Sequence, residues 1–292
     1  MTFGPLGIRS ILCIAAVSAA CSYEQQDARV FGKSAALSRA ASAADEDAPV
    51  TVTLTFDDQR VSQSVVHDAL REAGDLKGTF FVISSYVNDA PGDPPGDHPE
   101  KLSLDQLLEL ERDGHEIGAH TRTHAELPTL SARQASDEIC GSLSELTSYG
   151  LGAERPIVSF AYPYGSFDDA VESAVEKCGF TSARSVQAGP ESIPAKDAYA
   201  TRTGPKGGSI TQDDSVESIE GWVSDAEPGD WLQLIWHDIV SSEYEPTDEY
   251  HQTLKDFKAV LRYLADEVAQ GHIAVKTVAQ VMRASSSDAS RD

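Results

Sequence analysis

The sequence predicts an α/β fold in which one parallel sheet forms the centre of a single large domain. Stretches of β-branched and aromatic residues alternate with amphipathic helical stretches along the chain, and strands separated by helices usually pair in parallel. The chain has 292 residues, of which 40% are hydrophobic, so it can bury a sizeable core unaided. The polar residues best suited to chemistry come directly after strands, the position where the active sites of β/α barrels lie.

The strands are predicted where β-branched and apolar residues run together over short stretches. Residues 50–56 alternate valine and threonine, and residues 77–83 form an apolar run typical of a strand buried on both faces. In order, the predicted strands are residues 50–56, 77–83, 116–120, 158–162, 182–186, 231–236 and 273–277.

The helices are predicted where apolar residues recur at helical spacing after a capping residue. Ser103 and Ser131 stand at the starts of the second and third helices, where a side-chain oxygen can accept from exposed backbone N–H groups. Gly179 ends the fourth helix. In order, the predicted helices are residues 61–73, 103–112, 131–149, 168–177 and 247–270. Proline and glycine at 88–99 predict a surface loop.

The formal net charge of −24 excludes two classes of partner. Nucleic acid and anionic lipid surfaces would repel so acidic a chain. The charge is typical of a secreted protein, of a salt-adapted host, or of a protein whose ligand is a neutral or cationic polymer. We interpret it as a property of the solvated surface and expect a monomer.

The N-terminus has the pattern of an export signal. Arg9 precedes the apolar run at 11–20, which is too short to span a bilayer. Either Cys21 is the lipidated residue of a lipoprotein or cleavage follows Ala20; the alternative is an N-terminal helix of the mature fold. We expect a secreted or cell-envelope protein that contacts a membrane only through such a lipid.

Four segments follow from this pattern. The predicted organisation is a signal peptide at 1–21, a disordered linker at 22–48, a folded domain at 49–283 and a disordered tail at 284–292. In an exported protein the two remaining cysteines, Cys140 and Cys178, are expected to form a disulfide between neighbouring helices. Two free buried thiols are the alternative.

Two histidines and two adjacent aspartates form the strongest chemical pattern in the chain. His120 and His124 are four residues apart, a spacing that places two imidazoles on one side of a helical turn. With one carboxylate they make a three-ligand metal set that leaves a position open for water. Asp57 and Asp58 could supply that carboxylate and a base. The alternatives are a solvated helix face for the histidines and a cap or turn role for Asp57.

Together with two further segments, these residues resemble the motifs of the NodB-like polysaccharide deacetylases, carbohydrate esterase family four. The matching segments are Thr55-Phe-Asp-Asp58, His120-Thr-Arg-Thr-His124, Phe160-Ala-Tyr-Pro-Tyr-Gly165 and Leu234-Ile-Trp-His237. The resemblance covers about residues 50–282. It implies a distorted (β/α) barrel, with 49–283 as the catalytic domain, and metal-dependent removal of acetyl groups from sugar amides or esters.

The resemblance also implies a role for each site residue. Asp58, His120 and His124 would bind a divalent metal; zinc suits this set best, and cobalt or nickel could replace it. Water on that metal would attack the acetyl carbonyl, with Asp57 as general base.

Two further residues have implied roles. His237 would be the general acid, with a neutral core histidine as the alternative. The backbone N–H of Tyr164, after Pro163, would help stabilise the oxyanion; a simple turn is the alternative.

The chain departs from the family pattern at several positions. Ala161 stands where the family often has an arginine that orients the base, and we expect Arg184 to supply that charge. Gln59 replaces a common glycine, and Asp230 with Trp231 is the nearest match to a missing Asp-x-x-Asp-Trp element.

The apolar wall of the acetyl pocket is predicted from the same resemblance. Pro163, Trp231, Leu234 and Trp236 are the candidates, although tryptophans in strands are more often core residues.

The sequence thus predicts a metal-dependent deacetylase of N- or O-acetylated polysaccharides. The alternatives are an amidase acting on a non-sugar amide and a glycan-binding module whose catalysis has decayed. The polymer, the bond and the native metal carry no readable signature in the sequence.

Overall fold

A parallel sheet of eight strands forms the centre of the described domain. The computed structural model describes residues 48–288 except 93, 95, 243, 244 and 247. The predicted signal peptide, Cys21 and nearly all of the predicted linker lie outside these residues. The sheet strands are β1 (Val50–Asp57), β2 (Gly78–Val82), β3 (Glu116–Ala119), β4 (Ser159–Ala161), β5 (Ser182–Ala188), β6 (Thr201–Thr203), β7 (Trp231–Trp236) and β10 (Ile273–Val275). A separate parallel pair is formed by β8 (Asp238–Val240) and β9 (His251–Thr253).

Strand β1 lies at the middle of the sheet. One edge pairs with β7 along Thr51–Phe56, and the other pairs first with β10 and then with β2. The remaining strands follow in the order β2-β3-β4-β5-β6. All eight residues of β1 are buried, as expected for a parallel strand covered on both faces.

The sheet curls into a distorted barrel whose seam lies between β6 and β7. No ladder joins these two strands in the described part of the chain. Instead, the Gln233 side chain on β7 donates to Thr201 Oγ1 at 3.0 Å and to the carbonyl of Arg202 at 2.8 Å on β6. The predicted fold class, a distorted (β/α) barrel, is confirmed.

Helices cover the outside of the sheet. They are α1 (Val66–Glu72), α2 (Leu104–Arg112), α3 (Ala132–Ser148), α4 (Asp169–Lys177), α5 (Val216–Ser224), α6 (Leu254–Gln270) and α7 (Val278–Asp288). Ser103 and Ser131 cap α2 and α3 as predicted, each in a reciprocal capping box. In the core, Phe56 stacks on Phe80 and Trp236, with ring centroids 4.7 and 5.8 Å apart.

The predicted disulfide is present. Cys140 on α3 is bonded to Cys178, the residue that ends α4. The bridge therefore ties together two neighbouring helices on one side of the sheet. No helix in the described ranges is long and apolar enough to cross a membrane.

Several predicted boundaries were wrong. The helix expected at 247–270 begins at Leu254, because His251–Thr253 extends and pairs with β8. Its first turn is capped by the Thr253 side chain. The start of the helix expected at 61–73 is a 3₁₀ turn, Val61–Val65.

The predicted disordered tail also differs. Helix α7 continues to Asp288, in a stretch with no glycine or proline to end it; residues 289–292 lie outside the described part. The short strand β6 and the pair β8–β9 were missed, because three-residue strands are too short to show a period. The helix α5 was also missed.

Candidate active site

The ends of β1 and β3 bring the three predicted metal ligands together. Asp58, His120 and His124 offer ligand atoms that all lie within 4.8 Å of one another. Asp58 Oδ1 is 3.7 Å from His120 Nε2 and 3.5 Å from His124 Nε2. Ligands of a tetrahedral zinc ion lie about 3.3 Å apart, so a small inward movement would close the set on one ion.

The chemistry of these atoms also fits a metal. Asp58 Oδ1 is buried and has no hydrogen-bond partner among the described residues, and a buried carboxylate oxygen normally has one. His120 Nδ1 is 2.7 Å from the carbonyl of Ala161. Because a carbonyl only accepts, this contact puts the proton on Nδ1 and leaves the Nε2 lone pair facing Asp58.

The two histidines do not lie on a helical turn as predicted. His120 follows β3 directly, and the chain then turns through Thr121 and His124, which both have left-handed backbone angles, φ 64° and 60°. Asp58 and Tyr164 have φ of 71° and 59°. Such angles are strained for residues other than glycine and cluster at functional sites.

Burial and neighbouring charges set the protonation of the ligands. Burial by itself raises the pKa of Asp58, but His237, His120 and His124 bring it well below its usual range. Burial, with the charge of His120 beside it, lowers the pKa of His124 to about 4. At neutral pH the site therefore offers an ionised carboxylate and a neutral His124, the forms that bind metal.

Asp57 forms an ion pair with a buried arginine. Arg184 Nη2 donates to Asp57 Oδ2 at 2.5 Å, and the two side chains are only 2% and 5% exposed. Asp57 Oδ1 has no hydrogen-bond partner in the described ranges. Ala161 and Arg184 are paired residues on β4 and β5, so the arginine occupies the position directly across from the alanine.

Arg60 contacts the other oxygen of Asp58 and was missed by sequence reasoning. Its guanidinium lies 3.3 Å from Asp58 Oδ2, 2.6 Å from Asp238 Oδ2 and 2.9 Å from Asp248 Oδ2. Asp238 is itself buried and accepts from Ser62 Oγ at 2.5 Å. The one sequence feature that could have pointed to Arg60 is its position two residues after Asp58.

His237 lies at the end of β7 on the other side of Asp58. Its Nε2 is 4.0 Å from Asp58 Oδ2, and burial lowers its pKa despite the two nearby aspartates. Its Nδ1 has no hydrogen-bond partner within the described residues. Asp230 stands at the opposite end of this six-residue strand, roughly 20 Å away along the chain, and does not reach it.

Two glutamines, neither predicted, join the strand ends. Gln63 Nε2 donates to the carbonyls of Asp57 at 2.6 Å and His237 at 2.8 Å. The buried Gln59 side chain bonds both backbone groups of Ile83, at 2.8 and 2.9 Å. Gln59 thus holds the loop after β1 against the end of β2.

A cavity of about 310 Å³ opens over these residues. Tyr164 lies at its rim, 64% exposed, with its ring 4.6 Å from that of His124. Tyr250 stands on the His237 side, 5.5 Å between ring centroids. The described lining is Asp57, Asp58, Arg60, His120, His124, Tyr162, Tyr164, Gly165, Arg184, Val186, Gly208, Ser209, His237, Asp248 and Tyr250.

The predicted apolar wall does not line this cavity. Trp231, Leu234 and Trp236 are at most 2% exposed, and Pro163 is buried beneath the turn. The indole N–H groups donate into the core, Trp231 to Thr53 at 2.8 Å and Trp236 to Gln252 at 3.0 Å. Trp231, Leu234 and Trp236 belong to the scaffold because both faces of β7 are covered, and Pro163 belongs to the buried part of the turn after β4.

Known proteins resemble this chain in sequence and in fold. Residues 44–183 match the family model described as polysaccharide deacetylase. A curated relative, an uncharacterized 30.6 kDa protein in the fumA 3′ region of Geobacillus stearothermophilus, is 27% identical over 135 residues. That stretch is 44% of this chain and 43% of the relative, so the chain spans less than half of the curated protein it matches.

Two solved structures share the fold. The Xyl-CE4 domain of a multidomain xylanase from the hindgut metagenome of Trinervitermes trinervoides has a TM-score of 0.53 and 17% identity, covering 80% of this chain and 90% of that domain. A family 4 acetyl xylan esterase from Clostridium thermocellum, in complex with a cobalt ion, has a TM-score of 0.52 and 18% identity, with 80% and 90% covered.

Proposed function

Through residues 44–183 this chain belongs to the polysaccharide deacetylase family of hydrolases, and from that premise we propose that it removes acetyl groups from an N- or O-acetylated glycan with a bound divalent metal. The observation that carries the proposal is the convergence of Asp58, His120 and His124, with Asp57 and His237 lining the same cavity. Zinc fits this set of one oxygen and two nitrogen ligands best, and cobalt or nickel could replace it.

The metal would supply Lewis acidity, polarising the acetyl carbonyl and making water acidic enough to attack near neutral pH. Asp58 would hold it through Oδ1, since Arg60 bonds Oδ2. The carbonyl of Ala161 fixes the tautomer of His120 that can act as a ligand.

Asp57 would take the proton of the attacking water. Asp57 lines the cavity. Its Oδ1 is buried without a partner among the described residues, while Oδ2 is held by Arg184. A base fixed through one oxygen keeps the other aimed at the reacting atoms. Arg184 would thus position the base, the role for which the family often has an arginine where this chain has Ala161.

His237 would return a proton to the leaving amine or alkoxide. Since burial lowers its pKa, it rests neutral at physiological pH and can receive the proton that Asp57 removes before passing it on. The backbone N–H of Tyr164 is our candidate for a further oxyanion donor, because its left-handed turn follows β4 at the cavity rim.

The substrate class follows from charge and compartment. A net charge of −24 disfavours anionic polymers and tolerates the cationic amino sugar that N-deacetylation produces. The disulfide is typical of proteins that fold outside the cytosol. We therefore propose an acetylated cell-wall or environmental glycan as substrate, and a secreted or envelope location for a monomer.

One experiment tests the proposal. The purified protein is loaded with zinc, its metal content is measured, and acetate release is followed on chitin oligomers, peptidoglycan and acetylated xylan. Asp57→Asn should abolish turnover while keeping one metal per chain. Loss of metal in that variant would mean that the two aspartates have exchanged roles, and a zinc-loaded wild type that releases no acetate from any of the three glycans would overturn the proposal.

A further inference from the structure

We propose that Glu138, on helix α3, is the positioning residue that holds the loop between the two histidines in its metal-binding shape. The inference rests on the proposed metal site formed by Asp58, His120 and His124. It adds a residue that lies outside the motifs and outside the cavity, and that acts on the site only through the backbone of the loop.

The Glu138 carboxylate receives three hydrogen bonds from the loop at 120–124. Its Oε2 accepts from the backbone N–H of Arg122 at 3.0 Å and of Thr123 at 2.9 Å. Its Oε1 accepts from the Thr123 hydroxyl at 2.9 Å. All three bonds come from Arg122 and Thr123, which lie between the two histidine ligands.

The loop needs such support because its backbone is strained. Thr121 and His124, on either side of the bonded N–H groups, both have positive φ. Left free, the segment would be expected to relax toward ordinary backbone angles, and His124 Nε2 would then move away from Asp58. The His124 N–H also donates to Thr121 Oγ1 at 2.9 Å, and the carbonyls of Thr121 and Arg122 accept from the backbone N–H groups of Ser84 and Ser85 at 3.1 and 3.0 Å.

Helix α3 can hold the Glu138 carboxylate in place, since the helix is anchored at several points. Two turns beyond Glu138, Glu145 Oε1 accepts from Arg122 Nε at 2.7 Å, and its Oε2 accepts from Ser84 Oγ at 2.6 Å. Ser84 follows β2, so this carboxylate joins two strand-end loops. The disulfide of Cys140 fixes the same helix to α4.

A glycine permits the close approach of loop and helix. A Cβ added at Gly141 would lie 2.5 Å from Arg122 Cδ, so the arginine side chain lies directly across the helix at this position. The loop, the arginine and α3 therefore pack as one unit.

The test compares zinc affinity, measured by competition with a chromogenic chelator, in Glu138→Ala, Glu138→Gln and Asp137→Ala. We expect Glu138→Ala to bind zinc about 10–100-fold more weakly, as for other residues that support metal ligands. Glu138→Gln keeps an oxygen for the two N–H groups and should stay within about threefold of wild type. Asp137→Ala removes a neighbouring, exposed carboxylate that pairs with Arg133 and has no hydrogen bond to the loop among the described residues, and it should leave affinity unchanged.

Further arms separate the explanations. Thermal unfolding of the metal-free variants reports any loss of fold, and Thr123→Val, which removes one bond from the exposed side of the loop, should weaken zinc binding in the same direction by a smaller factor. Unchanged zinc affinity in folded Glu138→Ala would overturn the proposed role of Glu138. So would a Glu138→Gln variant as weak as Glu138→Ala, since charge rather than position would then be responsible. A wild type that binds no zinc would instead overturn the proposed metal site itself.

Discussion

Replacing Arg184 by alanine should damage both stability and catalysis by separable amounts. Arg184 and Asp57 form a buried pair at 2.5 Å, and removing one member of such a pair costs about 3–5 kcal/mol because the other charge stays buried alone. In a domain of this size each kcal/mol lowers Tm by about 2–4 °C. We therefore expect Tm to fall by about 6–20 °C.

The catalytic effect follows from the position of the base. Without Arg184, Asp57 Oδ2 loses the bond that orients it, and a well-placed general base is worth about 10²–10⁴-fold in rate. We expect kcat/KM for acetate release to fall at least 10²-fold, or about 2.7 kcal/mol of transition-state stabilisation. Zinc affinity should change little, since Arg184 contacts none of the three ligands.

A swap of position provides the decisive control. Ala161 is the register partner of Arg184 on the neighbouring strand, so Ala161→Arg combined with Arg184→Ala returns a guanidinium to the same side of the sheet. The double variant should recover at least about tenfold of the lost kcat/KM. Folded Arg184→Ala protein with wild-type kcat/KM would refute the reasoning, and so would a loss of zinc instead of rate.

Three further outcomes follow from the structure. Burial lowers the pKa of His115 to about 3. Between about pH 3 and 6.5 the unfolded chain therefore binds more protons than the folded one. The free energy of unfolding should fall as the pH drops through this window, by up to about 1.4 kcal/mol per pH unit. His115→Gln should flatten that slope in urea titrations, and an unchanged slope would contradict the assignment. Replacing Cys140 and Cys178 by serine opens a loop with a sequence separation of 38 and should cost about 4 kcal/mol in the chain-entropy estimate; an unchanged urea midpoint would count against it. Gly165→Ala combines a φ of 69° with a clash against Val186 and should cost about 2–4 kcal/mol. Val186→Ala in the same chain should restore only the part caused by the two γ-methyl groups, because the Val186 Cβ would still lie 2.9 Å from the added methyl.

Much of the architecture is readable from local patterns. The strand at 50–56 and the helices capped by Ser103 and Ser131 are correct to within a residue or two, because β-branched alternation and capping boxes act over short distances. Short or irregular elements are not readable in this way. Thr201–Thr203 forms a strand only because β5 lies beside it, and His251–Thr253 only because β8 does.

The same division holds inside the candidate site. Asp58, His120 and His124 could be named from residue type and spacing, and the structure brings them together. The helical turn assumed for the histidines was wrong: the backbone at Thr121 and His124 has positive φ, and the N–H groups between them donate to Glu138, which lies on another element. The contacts of Arg60 and Gln63 were not predicted for a similar reason, as their partners Asp238 and His237 are far away in the chain.

The sequence by itself determined the chemistry offered at the strand ends: which carboxylates and imidazoles are present, their order, and the sheet that gathers them. Only the tertiary structure decided how each side chain is held. It placed Arg184 opposite Ala161, turned Trp231 and Trp236 into core, and set Glu138 behind the histidine loop. The physical reason is distance along the chain, since capping and periodicity act within a few residues, whereas orientation comes from contacts between elements that meet only when the sheet closes.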